Sequence, residues 1–228
     1  MLLDRYPAVI FDLFHTLTSS AVLHKTKGTS EILGVSREAW NDQLLLYSED
    51  RLRGKIRDQY EIIRKMAHAI DPVISDALIR QAASNRIKRF RYALAHIERS
   101  TLDMLEQLRG RGKVLGLISN GDVNEFAGWQ TSPLRKYFPR AIFSCDVGFI
   151  KPEREIYELC MEKLGVHPAD SLYIGDGGSD ELGGAKAFGM TTVITIRVIK
   201  DLWPEKIGMR RRDADHEIDT WDDLFGLP

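Results

Sequence analysis

Apolar residues come in short dense runs separated by amphipathic stretches. Five runs read as buried strands: Ala8–Phe11, Val114–Ser119, Ala141–Ser144, Leu172–Ile174 and Thr192–Ile196. They are rich in β-branched residues and do not alternate cleanly, as expected for a parallel sheet covered on both faces. The stretches between them carry helix signals. Thr101–Arg109 places Leu102, Leu105 and Leu108 on one face and stops at Gly110 and Gly112. Glu153–Leu164 follows Pro152 and ends at Gly165, and Asp180–Phe188 ends at Gly189, the usual Pro-start and Gly-stop asymmetry. Strands alternating with helices predict right-handed crossovers in a doubly wound α/β domain.

One section breaks this rhythm. From Thr18 to about Glu98 only helix signals occur. Ser36 can cap Arg37–Tyr47, Lys55–Ile70 carries an apolar stripe, and Asp71-Pro72 opens a helix through Ile79 toward Tyr92. The chain therefore divides into a core domain, 1–18 with 98–228, and a helical cap domain, 19–97. At 228 residues it has the length for both.

Composition narrows the class. With 43% hydrophobic and 29% charged residues and a net charge of −1, the chain reads as soluble and cytoplasmic, with no reason to expect nucleic acid. No apolar run reaches membrane-spanning length, and the N-terminus shows no leader pattern. Cys145 and Cys160 lie in apolar contexts and read as buried free thiols. Asp50–Arg91 holds eleven basic against five acidic residues, which reads as a solvated helix face or, more sharply, as a basic lid for an anionic substrate. The basic residues Lys206, Arg210, Arg211 and Arg212 before the acidic Asp213–Asp223 read as a surface turn leading to a final core element. The four tryptophans show no spacing for base stacking, and the sequence leaves the oligomeric state open.

Chemistry gathers at the strand ends, where doubly wound sheets bind ligands. Asp12 follows the first strand, Ser119-Asn120-Gly121 the second, Lys151-Pro152 the third and Asp176-Gly177-Gly178-Ser179-Asp180 the fourth. Singly, each could be a cap or a turn. Together they bring a carboxylate, a hydroxyl, a lysine and a carboxylate pair to one sheet edge. A carboxylate can attack phosphorus, and a carboxylate pair can hold Mg²⁺, a hard oxygen-seeking cation. Lysine and hydroxyl can stabilise charge on a transferring phosphoryl group.

F-D-L-F-H-T-L, I-S-N, G-F-I-K-P and I-G-D-G-G-S-D, in this order with a helical insert after the first, resemble the four motifs of the haloacid dehalogenase superfamily; Gly184–Met190 is similar as well. The resemblance implies a Rossmann-like core with a helical cap. It implies Asp12 as nucleophile, Ser119 and Asn120 at the substrate, and Lys151 offsetting charge and orienting Asp12. It also implies Mg²⁺ bound by Asp12, Asp176 and the Phe14 backbone carbonyl, with Asp180 in support.

Phe14 departs from the pattern. Phosphatases of this family carry a second aspartate there as acid and base, help worth about 10²–10⁴ in rate. Family dehalogenases carry an aromatic residue there and work without metal, but lack the acidic fourth motif. An uncompensated acidic pair would repel both a substrate carboxylate and Asp12. The balance predicts a Mg²⁺-dependent phosphoryl hydrolase for a small phosphorylated metabolite, acting through an aspartyl-phosphate on Asp12. A metal-free 2-haloacid dehalogenase and an inactive phospho-ligand or protein-binding member are the alternatives. His15 reads as packing rather than as the missing acid, and His24 and Lys25 as remoter candidates from the cap.

Overall fold

The computed structural model describes residues 1–19 and 26–228. His24 and Lys25 lie outside the described residues. Among the described residues six strands form one sheet: β1 (Ala8–Phe11), β2 (Val114–Ser119), β3 (Ile142–Phe143), β4 (Ser171–Gly175), β5 (Thr191–Thr195) and β6 (His216–Ile218). Their spatial order is β3-β2-β1-β4-β5-β6, and every pairing is parallel. The predicted α/β class and doubly wound sheet are present. The chain order reverses at β1, which pairs with β2 on one side and β4 on the other. This is the switch point where open α/β sheets place their ligands.

Alternate side chains of the strands serve two apolar layers, as the two-residue strand period requires. Val9, Phe11, Leu117 and Ile174 pack with Met104, Leu105 and Leu108 of the helix Arg99–Gly110 and with Trp221. Ile10, Ile118, Tyr173 and Ile194 pack on the other face with Ile156 and Cys160 of Arg154–Leu164 and with Leu182 and Ala185 of Glu181–Phe188. All four residues of β1 are fully buried, which explains why the run shows no alternation.

The helices after β1 enclose an apolar cluster of their own, with Trp40 from Arg37–Leu46, Ile62, Ile63 and Met66 from Gln59–Ile70, and Ile79 and Ala82 from Asp76–Ala95. The Ser36 side chain caps its helix as predicted, accepting from the Ala39 N–H. Pro72 does not open the long helix. Ser75 does, accepting from the Leu78 N–H, and Asp71-Pro72 forms the preceding turn. Four of the eleven basic residues of this region reach acids of the sheet's loops. Arg51 and Arg86 pair with the buried Asp122 and with Glu125, Arg53 pairs with Glu153, and Arg57 pairs with Asp146. Part of the charge that reads as a solvated face or a substrate lid thus ties the helical unit to the sheet's loops.

Strand β6 is the element missed by pattern. Three residues with charged neighbours give too short a signal, yet they pair with β5 and close the sheet edge.

Both thiols are buried, and burial pushes each up to about 12. At pH 8 the thiolate fraction is then about 10⁻⁴, against roughly a quarter for a free thiol. We expect Cys145 and Cys160 to react with a disulfide reagent at least about 100-fold more slowly in the native protein than in denaturant. Equal rates in a stopped reaction followed by mass spectrometry would contradict the burial.

Candidate active site

Asp12 leaves β1 with its N–H still donating to Ile174 O at 2.9 Å, so the sheet fixes its backbone. The side chain is 6% exposed, and both oxygens are held. Lys151 Nζ donates to Oδ1 at 2.6 Å, and Thr16 Oγ1 donates to Oδ2 at 3.0 Å. Burial and the nearby Asp176 push the Asp12 carboxyl upward while Lys151 pulls it down, with a net rise. Such a carboxylate is poorly solvated and directed, as a nucleophile should be.

Lys151 is itself buried, at 3% exposure. Besides Asp12 it meets a Glu181 carboxylate oxygen, Tyr173 Oη at 3.1 Å and Ile118 O at 3.2 Å. Burial alone would discharge the ammonium, but the flanking Asp12 and Glu181 raise its pKa and keep it charged. Asn120 holds the loop that carries it: the Lys151 N–H donates to Asn120 Oδ1 at 2.8 Å, and Asn120 Nδ2 donates to Lys151 O at 3.0 Å. The Asn120 amide thereby clasps the loop that carries Lys151. Ser119 differs. It is 1% exposed, and its Oγ has no hydrogen-bond partner among the described residues.

Carboxylate oxygens of Asp12, Asp176 and Glu181 lie within 4.8 Å of one another. An all-oxygen set suits a hard divalent cation. Asp180 is not in this set. Ser179 and Asp180 both take left-handed backbone, φ 55° and 53°, which turns the Asp180 carboxylate out to 61% exposure beside Arg212 at 3.7 Å. The next residue, Glu181, points inward at 1% exposure. Its oxygens accept from Gly177 N at 3.0 Å and Tyr173 Oη at 2.9 Å. Burial, then the charge of Asp12, pushes Glu181 up to about 8.

A family model describing haloacid dehalogenase-like hydrolases matches residues 6–189. The chain belongs to that family. This hydrolase is 28% identical over 204 residues to (S)-2-haloacid dehalogenase 4A of Burkholderia cepacia, covering 84% of each chain. It is 25% identical to pyrophosphatase PpaX of Oceanobacillus iheyensis, covering 82% of each. A dehalogenase crystal structure shares the fold at TM-score 0.68 and 21% identity, covering 99% of this hydrolase and 98% of that chain.

The hydrolase keeps Phe14 out of polar chemistry. Its ring lies edge-on to Phe90 at 5.1 Å and stacks on Phe126 at 6.1 Å, forming an apolar wall between the β1 loop and the helix Asp76–Ala95. His15 has φ 66°, its Nδ1 is 3.1 Å from Ser19 Oγ, and its ring is edge-on to Trp203. Burial lowers its pKa, so the ring is neutral at pH 7 and a weak acid.

Thr16, Tyr173, Glu181 and Arg210 carry no assignment from sequence, yet all four touch the site. Glu181 had a signal: it shares a helix face with the apolar Ala185, an odd place for a charge without a partner. Arg210 does not lie in a plain surface turn. Its guanidinium pairs with the Asp176 carboxylate, and Nη1 is 3.3 Å from Asp176 O.

Proposed function

We propose that the chain is a Mg²⁺-dependent phosphoryl hydrolase acting on small phosphorylated metabolites through an aspartyl-phosphate on Asp12, with the helical unit as its cap. The observation that carries this reading is the buried all-oxygen cluster of Asp12 and Asp176 beside the unengaged Ser119 hydroxyl. Lys151 and Thr16 hold Asp12 toward the incoming phosphorus, and Ser119 donates to a phosphoryl oxygen. Lys151 offsets the charge that Asp12 and the phosphoryl group bring together. Asp12 and Asp176 would hold Mg²⁺, with the Phe14 carbonyl as the further ligand that the family pattern implies. Bound there, Mg²⁺ would neutralise charge on the phosphoryl oxygens.

The chemistry around Phe14 narrows the substrate. A phenyl ring in an apolar wall and a neutral His15 supply no acid for the leaving group. Leaving groups stable without a proton therefore suit the site: phosphoanhydrides and acyl phosphates before alkyl esters. The resemblance to a pyrophosphatase agrees with this preference.

Dehalogenation is the second reading, and Arg210 favours it. The guanidinium supplies the positive charge on Asp176 whose absence would make an acidic site hostile to a haloacid. The apolar wall of Phe14 would accept a carbon–halogen bond, and a halide leaves without a proton.

One assay separates the two. Phosphate release from phosphomonoesters, an acyl phosphate and pyrophosphate is measured with Mg²⁺ and with EDTA, alongside halide release from 2-haloacids. We expect release of phosphate only with Mg²⁺, about 10²-fold or more faster on the anhydrides than on alkyl esters. Halide release in EDTA without phosphate release on any substrate would transfer the assignment to dehalogenation.

A further inference from the structure

Both carboxylate oxygens of Asp176 already have partners. Its Oδ1 accepts from Gly178 N at 2.9 Å, and its Oδ2 is held by Arg210. The carboxylate is 5% exposed and Arg210 is partly buried, so this ion pair is not a loose surface contact. Among Asp12, Asp176, Glu181, Lys151 and Arg210 three acids face two bases. A divalent cation on Asp176 would share the carboxylate with the guanidinium, and at Oδ2 it would displace it.

The rest of Arg210 is firmly seated. Gly177 has φ +76°, and a side chain there would come within 2.7 Å of Arg210 O and 2.9 Å of Arg210 Cβ, so the segment's backbone lies directly on the Asp176 loop. The guanidinium also rests against Trp203, with Cζ 5.1 Å from the ring centroid. Lys206 Nζ and the His15 ring approach the same indole at 5.2 and 4.8 Å. The backbone seat is fixed by the Asp176 loop, and the guanidinium, at the end of a long stem, is the part that an exchange would move.

We propose that Arg210 is the resident counter-cation of the metal site: it holds Asp176 when no divalent ion is bound and releases Oδ2 when one binds, so metal loading and the contact of Arg210 with Trp203 change together. The exchange rests on the Mg²⁺-dependent reading above. It makes Arg210 a positioning residue that sets metal affinity through Asp176 without touching the substrate. Removing it takes away a charge-assisted bond that the metal must otherwise break, and such bonds correspond to about tenfold or more in affinity.

The test measures Mg²⁺ binding by calorimetry and by tryptophan emission, with no substrate present, in the full-length wild type, Arg210→Met, Arg210→Lys and Trp203→Phe. We expect Arg210→Met to bind Mg²⁺ about tenfold or more tightly, with Arg210→Lys between it and wild type. Mg²⁺ should change the emission of wild type, and this response should vanish in both Arg210→Met and Trp203→Phe. Wild-type binding with an affinity unchanged or weakened in Arg210→Met would overturn the exchange and leave the metal reading standing. No binding in any variant would overturn both. Melting curves check that each variant is folded.

Discussion

Replacing Asp12 by asparagine is expected to lower turnover about 10⁴-fold or more, the scale seen when a covalent nucleophile is removed. Asparagine has nearly the same shape, so the substitution removes the charge with little change in packing. Lys151 keeps Glu181, Tyr173 and the Ile118 carbonyl as partners, and the Thr16 hydroxyl can still bond to an amide. The fold should therefore survive, with a melting temperature within a few degrees of wild type. The measurement is single-turnover kinetics with whichever substrate the release assay identifies, paired with a thermal melt. Substantial residual turnover in a folded variant would remove Asp12 from the role of nucleophile.

Replacing Lys151 by methionine is expected to be the most damaging single change to stability. It leaves Asp12 and Glu181 buried around an apolar stem. Breaking a buried ion pair from one side costs about 3–5 kcal/mol, or roughly 10 °C in melting temperature for a chain of this size. The cost has a pH signature. Glu181 is already pushed up to about 8 by burial and by Asp12, against 4.5 for the ordinary side chain, and losing the ammonium raises it further. The folded variant then keeps this proton to a pH above about 8, where folded wild type releases it. Its deficit relative to wild type should accordingly widen as pH rises beyond about 8 and be smaller below. Adding Glu181→Gln should recover part of the loss, because the second buried charge goes with the first. Denaturant unfolding of both variants from pH 5 to 9 tests this. A pH-independent deficit, or a double variant no better than Lys151→Met, would mean that Lys151 is not the charge balance of the site.

The sheet and the strand-end loops were legible because their signals are physical and local. A run such as Ala8–Phe11 is apolar throughout because both faces are covered, and a polar residue at its end has only the sheet edge to occupy. Asp12, Ser119, Lys151 and Asp176 could be placed on that logic. Asp180 could not. Its direction depends on two consecutive left-handed residues, Ser179 and Asp180, neither of them glycine. Such backbone costs of order 1 kcal/mol per residue and is imposed by surroundings that no local pattern records. Arg210 was illegible for a different reason: it reaches Asp176 across 34 positions, and nothing in a basic turn says which acid it will find. Asn120 shows a second limit, because its residue type fits a substrate contact as well as it fits the loop clasp it makes.

The arginines of the helical unit have a mechanical consequence. They do not grip the core at random. Phe90 meets the loop after β1, Arg51 and Arg86 meet the loop after β2, and Arg53 and Arg57 meet the loop after β3. Asp12 and Lys151 lie in the first and third of those loops, and Ser119 ends the strand that leads into the second. The helical unit and the proposed reacting groups thus form a single linkage with shared joints. If Asp12 is the nucleophile, a molecule that wedges the helices apart would also pull on the loops that aim it, and one that lets them settle would leave the aim true. Selectivity in such a linkage need not come from a tailored pocket wall; it can come from whether the occupant lets the joints close.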